Sequence, residues 1–358
     1  MSQFLAADAR RFLIVRLSAI GDVIHTIPLA AALKRRRPDC FLGWIVEKPA
    51  SPLIVDNPLL DWVHVVPKGW LKSPGEVHRL RRAAKAMRFD VAFDVQGLSK
   101  SAIAARLSGA PVRVGFTRGV GREIAPLLDN RLVVPRGVYV VDNILSLLSA
   151  IGDEAPDRPE FVFPPCPPDD KQGIDDYLRE KRLTGGYCLM GPWSSLVGKC
   201  WPLGRFLELA EGLNAATGLV SLLLGHGKER DAVAAALAGR PGTPVLLAPD
   251  VSPAGVVELA RHARLFVGCD SFPLHVADGV GCLAAGLFGI TNPERVGPRG
   301  RNCRSLFAEL NLLKTARERR GFDDSVMRKL DVGTVLDACR DMLAKAGADY
   351  SRGEGRLA

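Results

Sequence analysis

Asp22 is the first residue whose type and position suggest chemistry, because only four residues separate it from an apolar strand-like segment, FLIVRL at 12–17. Gly21 lacks a β-carbon and suits a tight turn, and a carboxylate at the start of the next helix can accept hydrogen bonds from exposed N–H groups. The same carboxylate can instead remove a proton from a substrate as a general base. The residues alone leave both roles open.

A second polar group follows the apolar segment YCLMG at 187–191 and combines one cation with two hydroxyls, Lys199 with Ser194 and Ser195. A lysine in such a loop can neutralise the charge of a departing phosphate while hydroxyls hydrogen-bond it. A lysine before Trp-Pro is also compatible with a solvated loop. This group therefore indicates an anion site only in combination with others.

Asp270, Ser271 and His275 follow a third apolar segment, LFVGC at 265–269. A strand, a short turn and the start of a helix leave several N–H groups free, which suits a pyrophosphate. Ser271 can cap that helix, and His275 lies one turn further on, where it can face the same ligand. This setting favours a functional histidine over a structural one.

Further polar residues follow the segment VAFDV at 91–95. Asp94 lies within this apolar segment, where a carboxylate must be paired or hydrogen-bonded, so a structural role is favoured. Gln96 and Lys100 either contact a substrate or tie the loop down.

These groups belong to an alternation of short apolar segments and helix-like segments, which is typical of parallel sheets covered by helices on both faces. The predicted strands are 12–17, 42–47, 63–66, 91–95, 112–116, 187–191, 219–225, 244–248, 265–269 and 284–290. The predicted helices are 23–37, 75–87, 203–217, 228–237, 253–262 and 274–280. Because ligands bind beyond the carboxyl ends of such strands, the polar groups lie where a site is expected.

Six prolines fall within residues 151–169, a density that neither a helix nor a central strand tolerates. We therefore predict a linker over 151–169 between two doubly wound α/β domains, at 1–150 and 170–345, followed by a tail at 346–358. The length of 358 residues agrees with two domains of roughly 150 residues each.

The net charge of +9 comes entirely from the first half of the chain. Residues 1–150 contain 22 Lys and Arg against 12 Asp and Glu, whereas the remainder contains 26 against 27. Such an asymmetry indicates an anionic partner, which is a nucleic acid, an anionic lipid or a phosphorylated substrate.

Composition and motifs exclude several classes of protein. A hydrophobic content of 47% is that of a globular chain, and no apolar run approaches the ~18 residues of a spanning helix. The start MSQFLAADARR lacks the pattern of a cleaved signal peptide. The eight cysteines form no CxxC pair, which argues against a zinc knuckle or a disulfide scaffold. No GxGxxG follows the first strand, which disfavours a nicotinamide dehydrogenase.

Four segments together resemble glycosyltransferase family 9, the ADP-heptose:lipopolysaccharide heptosyltransferases. They are LIVRLSAIGDVIHTIP, FDVAFDVQGLSKSAIAARLSGAPVRVGF, WSSLVGKCWPLGRF and FVGCDSFPLHVADGVGCLAAGLFGITNPERVGP. The first two are more similar to the type that adds the first heptose than to the type that adds the second. The resemblance implies the GT-B fold, with an N-terminal domain for the acceptor and a C-terminal domain for the nucleotide sugar.

The resemblance also implies roles for individual residues. Asp22 matches the family's catalytic base, and Lys199 matches its donor-phosphate lysine. The other expected donor-binding residues are Ser194, Ser195, Glu229, Asp270, Ser271 and His275. The expected acceptor-binding residues are Gly21, Gln96, Lys100, Lys68 and Lys72. Phe272 replaces a glycine of the donor motif, and a phenyl ring obstructs close approach of the backbone to a phosphate.

We therefore expect an inverting transfer of heptose from ADP-heptose to an anionic glycolipid, the Kdo–lipid A inner core. No metal and no cofactor are expected, because cations and helix N-termini can stabilise the leaving group. The expected location is cytoplasmic, with peripheral binding at the cytoplasmic face of the inner membrane. Nucleic acid is not an expected partner, because no recognised motif accompanies the basic half.

Two other functions stay open on the sequence. A nucleotide-sugar epimerase of the same fold consumes its donor without any acceptor. A diverged, non-catalytic sugar- or lipid-binding protein results if Phe272 closes the donor site.

Overall fold

The computed structural model describes residues 9–301, 303–312, 318 and 321–351. The chain divides into two compact units, Met1–Pro165 and Cys166–Ala358, here called the N-terminal unit and the C-terminal unit. Among the described residues, no helix is both long enough and apolar enough to cross a bilayer.

The N-terminal unit contains a six-stranded sheet with helices between its strands. Its strands are β1 (Arg11–Val15), β2 (Phe41–Glu47), β3 (Trp62–Val66), β4 (Val91–Asp94), β5 (Val112–Phe116) and β6 (Arg131–Val133). Its α-helices are α1 (Ile20–Arg36), α2 (Pro74–Ala86), α3 (Ser99–Leu107), α4 (Ala125–Leu128) and α5 (Val140–Leu145). Its 3₁₀ helices are Lys48–Leu53, Trp70–Lys72 and Ser146–Ile151.

The sheet of the N-terminal unit has the order β3-β2-β1-β4-β5-β6, and each neighbouring pair is parallel. β1 and β4 lie at its centre and are almost wholly buried, since helices cover both faces. That burial explains why both strands are nearly uniformly apolar instead of alternating. The polar exceptions are Arg11, which begins β1, and Asp94, which ends β4.

The C-terminal unit repeats this design. Its strands are β7 (Cys188–Gly191), β8 (Ser221–Leu223), β9 (Val245–Leu247), β10 (Leu265–Cys269), β11 (Ala284–Leu287) and β12 (Arg304–Leu306). Its α-helices are α6 (Pro168–Glu180), α7 (Leu203–Thr217), α8 (Lys228–Ala238), α9 (Pro253–His262), α10 (Phe272–Gly279), α11 (Pro293–Val296) and α12 (Val332–Ser351). Its 3₁₀ helices are Val197–Lys199 and Met327–Lys329.

The sheet of the C-terminal unit has the order β12-β11-β10-β7-β8-β9, again with parallel neighbours. Counted from the first strand of each unit, both sheets have the connectivity 3-2-1-4-5-6, the doubly wound arrangement. The predicted pair of doubly wound α/β sheets is therefore confirmed.

The ten predicted strands are all present, with ends that differ by a few residues. The two strands that sequence patterning missed, β6 and β12, are three-residue strands at the edges of their sheets. An edge strand is covered on fewer sides and needs no continuous apolar run. The helices that sequence patterning missed are α3, α4, α5, α6, α11 and α12. Helix α6 begins at Pro168, inside the predicted linker at 151–169. Helix α12 was missed although Val335, Cys339 and Met342 bury its apolar face in the core with α7. Of the predicted tail at 346–358, residues 352–358 lie outside the described part of the chain.

Candidate active site

Asp22 lies in the first turn of α1, just beyond the carboxyl end of the central strand β1. Its Oδ2 atom is 2.7 Å from Nη2 of Arg16 and accepts a hydrogen bond from the Ala19 N–H at 3.3 Å. The Asp22 side chain is nevertheless 43% exposed. It therefore helps to begin the helix and also presents a carboxylate that a ligand can reach.

Arg16 sets the protonation state of this carboxylate. Burial alone would raise the pKa of Asp22, but the positive charge of Arg16, with a smaller contribution from His25, outweighs burial and lowers the pKa below its usual value. Arg16 is itself held in place, since its Nη1 donates to the Val95 carbonyl at 3.1 Å. Asp22 is thus an ionised, accessible base at neutral pH.

Gly21 does not form the tight turn that the sequence suggested. α1 begins at Ile20, three residues earlier than predicted, so Gly21 is its second residue. The turn prediction is wrong because Gly21 already lies within the first turn of the helix. A glycine here leaves the surface beside Asp22 without a side chain.

Gln96 and Lys100 both tie loops together at the carboxyl edge of the N-terminal sheet. The Gln96 Oε1 atom accepts a hydrogen bond from the Leu17 N–H at 3.0 Å. Lys100 donates to Glu47 at 2.9 Å and to Ser18 Oγ at 3.0 Å. Both side chains therefore stabilise loops, on either side of the segment that leads into Asp22.

Lys68 and Lys72 lie in the connection that follows β3, at the same carboxyl edge of the sheet. Both are exposed, and Lys72 ends the 3₁₀ helix Trp70–Lys72, whose Trp70 is buried. They add positive charge to this edge beyond the cations that are already paired there.

Asp94 is fully buried and belongs to the structure of the loop, as its sequence position favoured. Its Oδ1 accepts a hydrogen bond from the Gly97 N–H at 3.0 Å, whereas its Oδ2 atom has no hydrogen-bond partner among the described residues. Burial raises the pKa of Asp94 to about 6. Burial and the nearby charge of Asp94 raise the pKa of Asp129 to about 7.

In the C-terminal unit, Asp270 contacts several of the other predicted donor-binding residues. Directly after β10, its Oδ2 lies 2.7 Å from Lys199 Nζ, and its Oδ1 lies 3.5 Å from His275 Nε2. Thr291 donates to Oδ2 at 2.8 Å, and Ser194 donates to the backbone carbonyl at 2.9 Å. Asp270 is only 5% exposed, so it positions its cationic neighbours and lies beneath them.

The protonation state of Asp270 follows from these partners. Burial alone would raise the pKa of Asp270, but the hydrogen bond from His275 and the charge of Lys199 outweigh it and lower the pKa far below its usual value. The carboxylate therefore stays ionised. It holds Lys199 and His275 in fixed positions, where an anion can contact them.

The Lys199 loop is anchored by a buried tryptophan two residues later. The Trp201 backbone N–H donates to Cys269 Sγ at 3.2 Å, and its indole N–H donates to the Leu330 carbonyl at 2.9 Å. These contacts fasten the loop to the end of β10. They explain how an otherwise irregular segment brings Lys199 to Asp270.

The remaining predicted donor-binding residues lie at the same carboxyl edge. Ser195 is exposed, and Glu229 is half-buried in the first turn of α8. Ser271 is the N-cap of α10, although its Oγ donates to the Cys269 carbonyl at 3.3 Å instead of accepting from the helix. Phe272 is the first residue of that helix and is half-buried.

Sequence reasoning missed three residues that contact Asp22, Lys100 or Asp270. Glu47 ends its apolar segment and Arg16 is the residue before the last in its own, and a charge near a strand end was an available signal. Thr291 offered none, since nothing distinguishes its hydroxyl from that of any other loop threonine until β11 brings it to Asp270.

Comparison with known proteins assigns the chain to a family. The family model of glycosyltransferase family 9 (heptosyltransferase) matches residues 77–323. Lipopolysaccharide heptosyltransferase 1 of Pseudomonas aeruginosa is 30% identical over 312 residues, which covers 82% of each chain.

Solved structures agree in fold. A glycosyltransferase family 9 protein from Veillonella parvula superposes with a TM-score of 0.76 at 17% identity, covering 95% of this chain and 99% of that one. The heptosyltransferase WaaC of E. coli, solved with ADP, superposes with a TM-score of 0.70 at 21% identity, covering 96% and 99%. The predicted GT-B fold is confirmed, and the chain belongs to glycosyltransferase family 9 (heptosyltransferase).

Proposed function

We propose that this enzyme transfers heptose from ADP-heptose to the Kdo–lipid A inner core during synthesis of the lipopolysaccharide core. The relatives support the sugar and the pathway, since the Pseudomonas aeruginosa protein is named lipopolysaccharide heptosyltransferase 1. The E. coli neighbour was solved with ADP and with ADP-2-deoxy-2-fluoro heptose, which supports ADP-heptose as the donor.

One observation carries the mechanism, which is the exposed carboxylate of Asp22 kept ionised by Arg16 at 2.7 Å. Asp22 takes the proton of the acceptor hydroxyl while that oxygen attacks the anomeric carbon. The bond between that carbon and the phosphate oxygen of the donor breaks, and ADP leaves with the electron pair. Attack opposite the leaving group inverts the configuration of the sugar.

The leaving ADP develops negative charge, and residues of the C-terminal unit are suited to stabilise it. Lys199 and His275 supply positive charge or hydrogen-bond donors, and Ser194 and Ser195 supply hydroxyls. Asp270 acts through the first two, since it is buried and holds both. Glu229 is proposed to contact the ribose, and Ser271 to offer its N–H at the start of α10. Pro273 has no N–H, so this helix offers fewer donors than most.

The acceptor is proposed to bind at the carboxyl edge of the N-terminal sheet, beside Gly21, Gln96 and Lys100. Lys68 and Lys72 are exposed there and are suited to the carboxylates and phosphates of an anionic glycolipid. Because that acceptor is anchored in a bilayer, the enzyme works at a membrane surface. We place it at the cytoplasmic face of the inner membrane, as a peripheral protein.

The direct test is a donor screen with heptose-free Kdo–lipid A as acceptor, read by mass spectrometry. We expect one added heptose with ADP-heptose, and a lower yield with other nucleotide sugars. Donor consumed in the absence of acceptor would instead indicate an epimerase. No binding of ADP at millimolar concentration, measured by calorimetry, would indicate a non-catalytic protein.

The role of Asp22 is tested by Asp22→Asn, which keeps the shape and removes the base. We expect kcat to fall by roughly 10²–10⁴-fold, the usual contribution of a general base. ADP affinity should stay unchanged, since Asp22 lies in the N-terminal unit. Asp39→Asn, at an exposed position of the same unit, serves as the control. Full activity of Asp22→Asn would rule out the assigned role.

A further inference from the structure

Exposed apolar side chains are concentrated in one short stretch of the N-terminal unit. Twelve large hydrophobic side chains are exposed among the described residues, and six of them lie between positions 120 and 138. These six, here called the apolar edge, are Val120, Ile124, Leu127, Leu132, Val134 and Val138. Leu127 and Val134 are 70% and 68% exposed. Such a concentration marks an interaction surface.

Helix α4 and the side chain of Leu132, in the edge strand β6, lie on the same face of the sheet. Arg131 of β6 donates to the Ala150 carbonyl in the 3₁₀ helix Ser146–Ile151, so it faces that helix. Leu132 and Val134 alternate with Arg131 and Val133, so Leu132 points to the opposite face. Gly115 pairs with Leu132, and a β-carbon on Gly115 would meet the Asp129 carboxylate at the end of α4. α4 therefore lies on the face to which Leu132 points.

Three arginines border these side chains. Arg118, Arg122 and Arg136, here called the basic rim, are all exposed, whereas Arg131 points to the opposite face of β6. The acidic residues between them do not balance this charge. Glu123 is exposed and offsets one positive charge, whereas Asp129 is buried with a raised pKa, so positive charge stays in excess. The surface thus combines protruding apolar groups with excess positive charge.

We propose that the apolar edge and the basic rim form the surface with which this protein binds an anionic lipid bilayer. The apolar side chains enter the boundary between headgroups and acyl chains, and the arginines contact lipid phosphates. This inference rests on the proposed function, since a bilayer-anchored acceptor requires the enzyme at the membrane. It goes further in assigning the contact to one segment, 118–138.

A second copy of the chain fits this surface poorly. In a two-fold symmetric dimer the same patch meets itself, so the three arginines of each copy would approach those of the other. An anionic bilayer offers the opposite charge to all three at once. Charge complementarity therefore favours the lipid surface.

The location also connects the surface to the proposed acceptor site. The Arg122 N–H donates to the Gly97 carbonyl at 2.9 Å, which joins the segment to the loop that carries Gln96 and Lys100. A glycolipid whose acyl chains stay in the bilayer beside the apolar edge would present its sugars near this loop.

The test uses the full-length protein and vesicles of phosphatidylglycerol with phosphatidylethanolamine, compared with vesicles of phosphatidylcholine. The wild type should sediment with the anionic vesicles and be released in part by 1 M salt, given a Debye length of about 3 Å there. Replacing Leu127, Leu132 and Val134 by Asp should lower the partition coefficient at least about tenfold. Phe307→Asp, at a 45% exposed position of the C-terminal unit, is the matched control and should bind as the wild type does.

Two measurements keep the outcome interpretable. If circular dichroism shows that the triple variant is unfolded, the milder pair Leu127→Ser and Val134→Ser replaces it. Heptose transfer is then measured with acceptor in vesicles and with a deacylated, water-soluble acceptor. We expect the variants to lose heptose transfer only with the acceptor in vesicles. If no heptose is transferred to either acceptor, the proposed function fails, but vesicle sedimentation still decides the membrane surface.

Unchanged sedimentation of the folded variants would overturn the proposal. So would a loss of binding by Phe307→Asp equal to that of the triple variant, because the effect would then be general. A wild type that is dimeric in analytical ultracentrifugation and becomes monomeric in the triple variant, with vesicle binding unchanged, would assign the surface to contacts between copies.

Discussion

Asp22 and Asp270 occupy similar places in the two units, each beyond the carboxyl end of a central strand and each 2.7 Å from one cation. Asp22 follows the first strand of its unit, and Asp270 follows the fourth strand of the other. They differ in exposure, since the Asp22 side chain is 43% exposed and the Asp270 side chain only 6%. Asp270 also has Thr291 and His275 as partners. The same pairing therefore yields an accessible base in one unit and a buried anchor for cations in the other.

Asp94 provides the third case, a strand-end carboxylate with no cation in hydrogen-bond contact among the described residues. It is fully buried, and its pKa is raised to about 6, whereas those of Asp22 and Asp270 are lowered. A strand-end position alone therefore does not fix the charge of an aspartate. The nearby cation fixes the charge, and exposure then decides whether the carboxylate can react.

The largest expected difference between Asp22 and Asp270 is in their contribution to the free energy of unfolding. Asp270→Asn leaves Lys199 and His275 without their carboxylate and should lower the free energy of unfolding by about 3 kcal/mol, the usual effect of breaking a buried pair. Asp22→Asn should lower it by about 1 kcal/mol or less, because its pair is partly solvated. Urea unfolding of both variants measures the difference. Equal losses would contradict the distinction between anchor and base.

The next effect is the pH dependence that a raised pKa imposes. Folded Asp94 keeps its proton up to about pH 6, whereas the unfolded chain loses it near 3.8, so folding binds the extra proton between these values. Stability from this group is full below pH 3.8 and is lost as the pH rises through 6. Asp94→Asn should reduce the decline in the free energy of unfolding between pH 4 and 7 by ~2 kcal/mol.

Urea unfolding across that pH range is the measurement, and Asp39→Asn is the control with an exposed side chain. The same decline in Asp94→Asn as in the wild type would show that Asp94 titrates normally.

Removal of Arg16 should convert Asp22 toward the behaviour of Asp94. In Arg16→Gln the charge that lowers the pKa of Asp22 is lost while burial remains, so the acid limb of the kcat/KM profile should move to higher pH. Arg16→Lys keeps the charge and should restore most of the wild-type profile. Identical limbs in the wild type and in Arg16→Gln would show that Arg16 does not control the base.

The smallest effect concerns Thr291, one of several groups that hold Asp270. Thr291→Val removes one hydrogen bond and should lower the free energy of unfolding by about 1 kcal/mol, with kcat unchanged. Thr217→Val, which removes a hydroxyl bonded within α7, is the control. A large fall in kcat would give Thr291 a direct role in the reaction.

Much of the fold follows from local patterns in the sequence. Parallel strands such as β1 and β10 are apolar at every fully buried position, so they stand out clearly. β6 and β12 do not, because a three-residue edge strand is defined by its neighbour and not by its own residues. The start of α1 was placed too late, since Gly21 suggested a turn.

For the candidate site, the sequence alone placed Asp22, Lys199 and Asp270 after strands, because strand ends determine where such loops lie. The tertiary structure decided what each one does. It joined Lys199 to Asp270 across 71 residues, and it joined Gln96 to Leu17 across 79. Burial and partners depend on which loops meet at a sheet edge, and no local pattern encodes that meeting. For the same reason, only the fold shows which exposed residues of segment 118–138 lie on the same face of the sheet.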